Sequence, residues 1–129
     1  MERDYGQTIT EDPRQTGPSC RLDRETFALL ASRYKVGRYG EGLRVALGAL
    51  APMASHEMLK KTIIVVKQAR RQAGIHLIQM YLNKMELQIL DSLVEKSGLR
   101  ASDVIAALAY LYFRLPVETS TNSNQSKNE

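Results

Sequence analysis

The chain has one cysteine, Cys20, so no internal disulfide can staple it. Its two histidines, His56 and His76, stand far apart and offer no metal-ligand spacing. Long apolar runs are missing as well: the longest, Thr62 to Val66, is held between Lys61 and Lys67, which excludes a spanning helix. The opening MERDYGQ is acidic and polar rather than signal-like, from which a cytoplasmic location is expected. There is no glycine-rich phosphate loop, no pair of carboxylates on a shared face and no nucleophile beside a credible base, and His56-Glu57 reads as a helix start. These absences argue against an enzyme, a metal centre, a cofactor or a membrane partner.

What is present is one modest core's worth of apolar residues, 43% of 129 positions, and an uneven charge. The net +4 divides into −3 for residues 1–12, +8 for 13–74 and −1 for 75–129, which sum to +4. The +8 comes from twelve Lys/Arg against Asp23, Glu25, Glu41 and Glu57. A basic half of this kind fits a polyanionic partner, although a solvated face also explains a charge cluster.

Order is clearest from Ile75 onward. Ile75 to Leu82 is short, apolar or half-apolar and rich in β-formers, and predicts a strand. Leu87, Leu90 and Val94 then fall on one helical face, with Leu93 beside them, until Ser97-Gly98 supplies a stop. In a second helix Val104, Leu108, Leu111 and Leu115 share a face, widened by Ile105 and Tyr112, until Pro116 forbids continuation. A helix-turn-helix must turn polar side chains of its second helix toward bases. Here that helix reads Ala106-Ala107-Leu108-Ala109-Tyr110-Leu111, a composition that belongs in a core and leaves the strand as the reading element.

The strand end at Leu82, the core positions Leu87 and Leu90, Asp91, the Ser97-Gly98 turn and the Ser102-Asp103-Val104-Ile105 opening together resemble the Arc/MetJ-type ribbon-helix-helix family of DNA-binding proteins. The pattern occurs twice. Leu22 stands where Leu82 stands, Asp23-Arg24 answers Asn83-Lys84, and Phe27, Leu30 and Tyr34 retrace Leu87, Leu90 and Val94 at a separation of sixty. After one deletion Gly37 answers Gly98, Leu43, Leu47 and Leu50 answer Val104, Leu108 and Leu111, and Pro52 answers Pro116. One such unit leaves a strand edge and a core face uncovered, which family members solve by dimerising. The resemblance therefore implies a mainly α fold with a short β-ribbon, in which two tandem units form a pseudo-twofold domain within one chain, as in accessory proteins of plasmid conjugation.

The expected organisation is an arm at 1–16, a first unit at 17–52, a connecting helix at 53–74, a second unit at 75–116 and a polar tail at 117–129. In the first unit Gly17 and Pro18 are poor strand formers, so order is expected from Pro18 and the ribbon to be short. In the connector, Leu59, Ile63 and Val66 share a helical face, Ser55 suits an N-cap and Gly74 a stop. The β-branched run Thr62 to Val66 keeps a strand open as the alternative.

Strand alternation sends Leu22, Cys20, Leu82 and Met80 toward the core, Cys20 as a small core residue, and turns Ser19, Arg21, Gln79 and Tyr81 outward. Leu77 shares the outward parity. A two-stranded ribbon fits the major groove, where Arg pairs with guanine, Gln with adenine and Ser with several partners. The resemblance adds phosphate contacts at the start of each second helix, around Arg38 and Tyr39 and around Arg100 and Ser102, although neither keeps the family's Ser-x-Ser pattern. Lys60, Lys61, Lys67, Arg70 and Arg71 of the connector form a possible further DNA contact or a solvated face. The expected function is sequence-specific binding of double-stranded DNA, as a repressor or as a plasmid-transfer accessory protein. Self-association on DNA and partner proteins of a transfer complex belong to that reading. The alternative is a non-enzymatic protein-interaction module of the same fold.

Overall fold

The structure is a computed structural model that describes residues 14–115. The arm and tail expected at the ends lie outside these residues, apart from Arg14, Gln15 and Thr16, and so does Pro116. In order come β1 (Gln15–Asp23), α1 (Arg24–Ala31), α2 (Tyr39–Leu50), a 3-10 turn (Ala51–Met53), α3 (His56–Ala73), β2 (Ile75–Leu82), α4 (Lys84–Ser97) and α5 (Ala101–Tyr112). The described residues are mainly helical, with an antiparallel sheet of two strands.

Local chemistry sets several boundaries. Asp23 accepts from the Thr26 N–H at 3.2 Å to start α1, and Ser55 accepts from the Met58 N–H at 3.1 Å to start α3. Asn83 accepts from the Glu86 N–H at 2.8 Å while Glu86 accepts from the Asn83 N–H at 2.9 Å, a reciprocal cap on α4. Gly74 (φ 102°) ends α3 and Gly98 (φ 75°) ends α4, both in backbone regions that a Cβ would strain. The open choice for Thr62 to Val66 falls to helix. Leu59, Thr62, Ile63 and Val66 bury one stripe of α3 while Ile64 and Val65 stay outside, so burial at helical spacing outweighs β-propensity.

The ribbon pairs Ser19 with Gln79, Cys20 with Ile78, Arg21 with Leu77, Leu22 with His76 and Asp23 with Ile75. Beyond an irregularity it continues with Thr16 opposite Tyr81 and Gln15 opposite Leu82. By this register Gly17 and Pro18 both stand against Met80, a β-bulge. The expectation that order begins at Pro18 with a short ribbon is thereby corrected: β1 starts at Gln15, inside the stretch assigned to the arm, and has nine residues against eight in β2. A bulge leaves one residue out of the ladder, and a proline lacking its N–H is accommodated there.

Cys20, Leu22, Ile78, Met80 and Leu82 form the buried underside of the ribbon, and the helices bury Leu30, Leu43, Leu47, Leu59, Leu90 and Leu108 against it. Helix α5 is the centre of this core. Every residue from Asp103 to Ala109 is buried, and the helix packs against α2, α3, α4 and β1. Each fully buried leucine is worth on the order of 1.5–3 kcal/mol of removal from water, so these positions supply most of the driving force. Two expectations need correction. Helix α1 stops at Ala31, leaving Tyr34 beyond it, where the Ser32 hydroxyl donates to the Leu29 carbonyl at 2.7 Å and the chain turns. Helix α5 stops at Tyr112, so Leu115 is exposed and Phe113 takes the buried place, with its carbonyl accepting from Arg33 Nη2 at 3.1 Å. Among the described residues no helix is long and apolar enough to cross a membrane.

Two glycines of α2 have opposite surroundings. A Cβ on Gly42 would drive into Leu30 Cδ1 and come within 2.9 Å of the Tyr34 ring, whereas a Cβ on Gly48 meets nothing within 4 Å. Gly42→Ala is expected to destabilise by about 1–3 kcal/mol through overpacking. Gly48→Ala is expected to stabilise by about 0.5–1 kcal/mol through helix propensity and lost chain entropy. Urea unfolding of both variants checks this, and a shift in the same direction for both contradicts the packing described.

Candidate functional site

The outer face of the ribbon is built by alternation plus one correction from the bulge. Ser19, Arg21, Leu77, Gln79 and Tyr81 are exposed there, above the buried Cys20, Leu22, Ile78, Met80 and Leu82. Strict alternation would have turned Thr16 inward. The bulge resets the parity, so Thr16 is exposed opposite Tyr81 and joins the face. No sequence reading of parity alone could find it, although the Gly17-Pro18 pair is the signal that a bulge was due.

At the centre of the face Ser19 Oγ lies 2.9 Å from Gln79 Oε1, and Gln79 Nε2 donates to the Gly17 carbonyl at 2.8 Å and to the Met80 carbonyl at 3.0 Å. The Gln79 amide is thus held across the ribbon. It must exchange one of the two carbonyls to donate to an external group, whereas Oε1 keeps a second lone pair with which to accept. Arg21 is different: its side chain is exposed, and its backbone carbonyl accepts from Arg70 Nε at 2.9 Å. Leu77 (67% exposed) and Tyr81 (54% exposed) add apolar surface toward the two ends.

Helices α2 and α5 both begin on an arginine, Arg38 and Arg100, and neither has a side-chain cap. A guanidinium has donors only, so it cannot accept from the first-turn N–H groups as Asp23, Ser55 and Asn83 do. Both uncapped starts lie beside the ribbon. A Cβ on Gly40 of α2 would approach the Gln79 carbonyl to 3.3 Å, and α5 packs on β1. The expected phosphate-site residues divide accordingly. Arg38 and Arg100 are exposed and Ser102 half-buried at the helix starts, whereas the ring of Tyr39 packs edge-on against Phe27 at 5.1 Å, and Phe27 stacks on His76 at 3.9 Å.

The two starts differ in electrostatics. At α2, Glu41 pairs with Arg14 at 2.7 Å and with Arg44 at 3.0 Å, and Arg44 continues to Glu86 at 2.8 Å. The Arg14 hydrogen bond, ahead of smaller contributions from Arg44, holds the Glu41 carboxyl below its usual range despite some burial. At α5, Ser19, Arg21, Lys67, Arg70, Arg100 and Asp103 are among the residues around a cavity of about 490 Å³. Its ion pairs are long: Arg70 Nη1 to Asp103 Oδ1 is 3.6 Å and Lys67 Nζ to Asp103 Oδ2 is 4.0 Å. Of the five connector cations singled out by sequence, Lys67 and Arg70 thus reach the ribbon, while Lys60, Lys61 and Arg71 are exposed on α3 and do not line this cavity. Among the described residues no group of three or more His, Cys, Asp or Glu is placed to hold a metal. A second cavity, about 460 Å³ between α2 and α4 with Gly48, Pro52, Met85, Ile89 and Leu93 in its wall, has Lys96 as its one charged lining residue.

The chain matches no protein-family model, no curated protein and no solved structure. Its functional reading therefore stands on this geometry.

Cys20 is excluded from the chemistry. It is fully buried, its Sγ is 3.5 Å from Met80 Sδ, and burial pushes its thiol up to about 12, with Arg70 opposing that shift and Asp103 adding to it. A thiol reagent at pH 8 is expected to label Cys20 only after unfolding. The raised value also fixes a sign. The folded protein keeps a proton that the unfolded chain loses above pH ~9, so this contribution is complete below pH ~9 and is lost progressively up to pH ~12. Wild type should lose stability relative to Cys20→Ala over that interval in urea titrations, and a constant difference would show that the thiol is not desolvated.

Proposed function

We propose that the protein binds double-stranded DNA sequence-specifically, laying the ribbon in the major groove with Ser19, Arg21, Gln79 and Tyr81 as its reading face. The observation that carries this is a two-stranded ribbon, apolar beneath and largely polar above, flanked by two helix starts that no side chain caps. A ribbon of two strands has the width of the major groove, Arg and Gln are the bidentate readers of guanine and adenine, and open helix N-termini attract phosphates. On this reading Arg38 and Arg100 with Ser102 meet the backbone, while Tyr39 contributes through its placement at the α2 start.

The reading takes the chain as two tandem ribbon-helix-helix units of the Arc/MetJ type joined by α3, a pseudo-dimer within one polypeptide. Ser19 and Gln79, sixty positions apart, are equivalent in the repeat and oppose each other in the register, which is where a pseudo-twofold axis between repeats would pass. The counterparts Leu30 and Leu90, Leu43 and Val104, and Leu47 and Leu108 are all buried, and Gly37 and Gly98 both have positive φ. Repression and accessory work at a transfer origin demand the same surface, and either places the protein in the cytoplasm on chromosomal or plasmid DNA. Self-association on DNA and contact with transfer proteins belong to the second role.

Leu77 and Tyr81 on the outer face, with both Gln79 Nε2 donors already engaged, favour a second reading in which the ribbon docks on a protein. Binding-site selection from random duplexes decides between them. Because the strands differ, the recovered site should be asymmetric, with Arg21→Ala and Gln79→Ala each relaxing different base pairs at about 1–3 kcal/mol of discrimination. The Gln79 effect should be the smaller, since its free amide is already bonded. The logarithm of affinity should fall linearly with log salt, and replacing Arg38 or Arg100 should lower that slope by about 1 each. Recovery of no preferred site, with salt-insensitive binding, overturns the DNA reading in favour of the protein-docking one.

A further inference from the structure

We propose that the cavity between β1, α3 and α5 is a built phosphate site in which Arg70 is the principal ligand, and that among the described residues the cavity at the α2 end has no buried, unpaired guanidinium to match it. The proposal deepens the duplex reading and rests on it only for the source of the phosphate, a backbone phosphodiester.

Arg70 carries the argument. Its side chain is only 10% exposed, its Nε is spent on the Arg21 carbonyl at 2.9 Å, and its Nη1 stands 3.6 Å from Asp103, too far for a hydrogen bond. Its Nη2 is buried with no acceptor. An unpaired donor on a buried guanidinium is costly, and a guanidinium held this loosely by Asp103 can turn toward an oxyanion that enters the cavity. The surroundings agree. The uncapped start of α5 presents its first-turn N–H groups and positive end here, and Arg21, Lys67 and Arg100 add three cations around the same space. Against these four positive side chains stands Asp103 alone, which holds Arg70 and Lys67 loosely and would be the group an anion displaces.

The α2 start differs. Glu41, in its first turn, takes Arg14 and Arg44 at 2.7 and 3.0 Å, and Arg44 is further held by Glu86; a cavity of about 510 Å³ lies there too, with Arg33, Lys35 and Arg38 in its wall, but among the described residues none of these has a buried donor without an acceptor. The connector helix makes the difference, since α3 passes on the β1–α5 side and brings Arg70 and Lys67 with it. A duplex would then be gripped at one end of the ribbon more tightly than at the other.

The test titrates inorganic phosphate into the full chain at constant ionic strength, chloride serving as the reference anion, and follows amide and arginine Nε resonances. Phosphate should move Ala101, Ser102 and the Arg70 Nε signal while Tyr39 and Gly40 stay in place. Arg70→Gln should weaken the response by about tenfold or more, the loss of a charge-assisted pair, and Asp103→Asn should tighten it. Should Arg70→Gln fail to fold, Lys67→Gln and Asp103→Asn carry the comparison, weakening and tightening respectively. No phosphate response in wild type, or equal responses at α2 and α5, overturns the proposal. In parallel, single neutral methylphosphonate substitutions are made along the selected duplex. One strand position should lose affinity in wild type and lose nothing further in Arg70→Gln. Phosphate binding with no such position leaves the site as one for free phosphate and removes its role in the duplex reading, whereas a duplex position without phosphate binding overturns the built site.

Discussion

The antiparallel pairing of β1 with β2 is the constraint on which the other features depend. Each strand has no other partner among the described residues, and the two are separated in sequence by three helices. A two-stranded ribbon is not stable by itself in water. It persists because its underside, Cys20, Leu22, Ile78, Met80 and Leu82, is covered by helices that pack against it and against one another in a single core. Pairing and core formation are therefore one event, and the outer face is positioned to within a residue because a slip of one would exchange Leu22 and Met80 with Arg21 and Gln79.

That coupling accounts for the position of α5. Its composition is nearly all apolar, and such a helix can only be central. With α2, α3 and α4 around it and β1 above, α5 fixes where its own N-terminus emerges, which is beside Ser19 and Arg21. Arg114, just beyond α5, ties the other end to the start of α1: it donates to Thr26 Oγ1 at 2.9 Å, lies 3.2 Å from Glu25, and stacks over Tyr110 at 3.5 Å. The helix is thus held at both ends, and a side chain at its start keeps a defined distance from the ribbon.

Much of this was legible in the sequence, for reasons that differ by element. Strand β2 was read with its exact limits because Ile75 to Leu82 is bounded by Gly74 and by the Asn83 cap, both strong local signals. The inward and outward faces of the ribbon followed from alternation. Three things were not legible. The bulge at Gly17-Pro18 reads locally as a strand breaker, and only the partner strand shows that it is an insertion which turns Thr16 outward. The early end of α1 depends on Ser32 bonding back to Leu29, which no apolar spacing reveals. In sequence Arg70 is one of five connector cations, a possible DNA contact or a solvated face, and nothing local marks it out because its hydrogen bond reaches Arg21 across 49 positions.

The contrast between Arg70 and Arg44 shows how position in the fold, not residue type, decides what an arginine can do. Arg44 meets two carboxylates, Glu41 and Glu86, at bonding distance, so its charge is spent on joining α2 to α4. Arg70 meets one carboxylate at 3.6 Å and one backbone carbonyl, and retains an unsatisfied donor. Removing Arg44 would leave Glu86 without its cation while Glu41 keeps Arg14, and α2 would lose its link to α4, a structural loss. Removing Arg70 would release one carbonyl and one loosely paired acid while emptying the cavity of its best donor. The carbonyl in question belongs to Arg21, an exposed cation of the ribbon face, so any group that draws Arg70 toward it also pulls on the backbone that carries Arg21. Anion capture beside α5 and the placement of Arg21 are in this way mechanically joined, and the joint lies on the side of the ribbon over which the connecting helix passes.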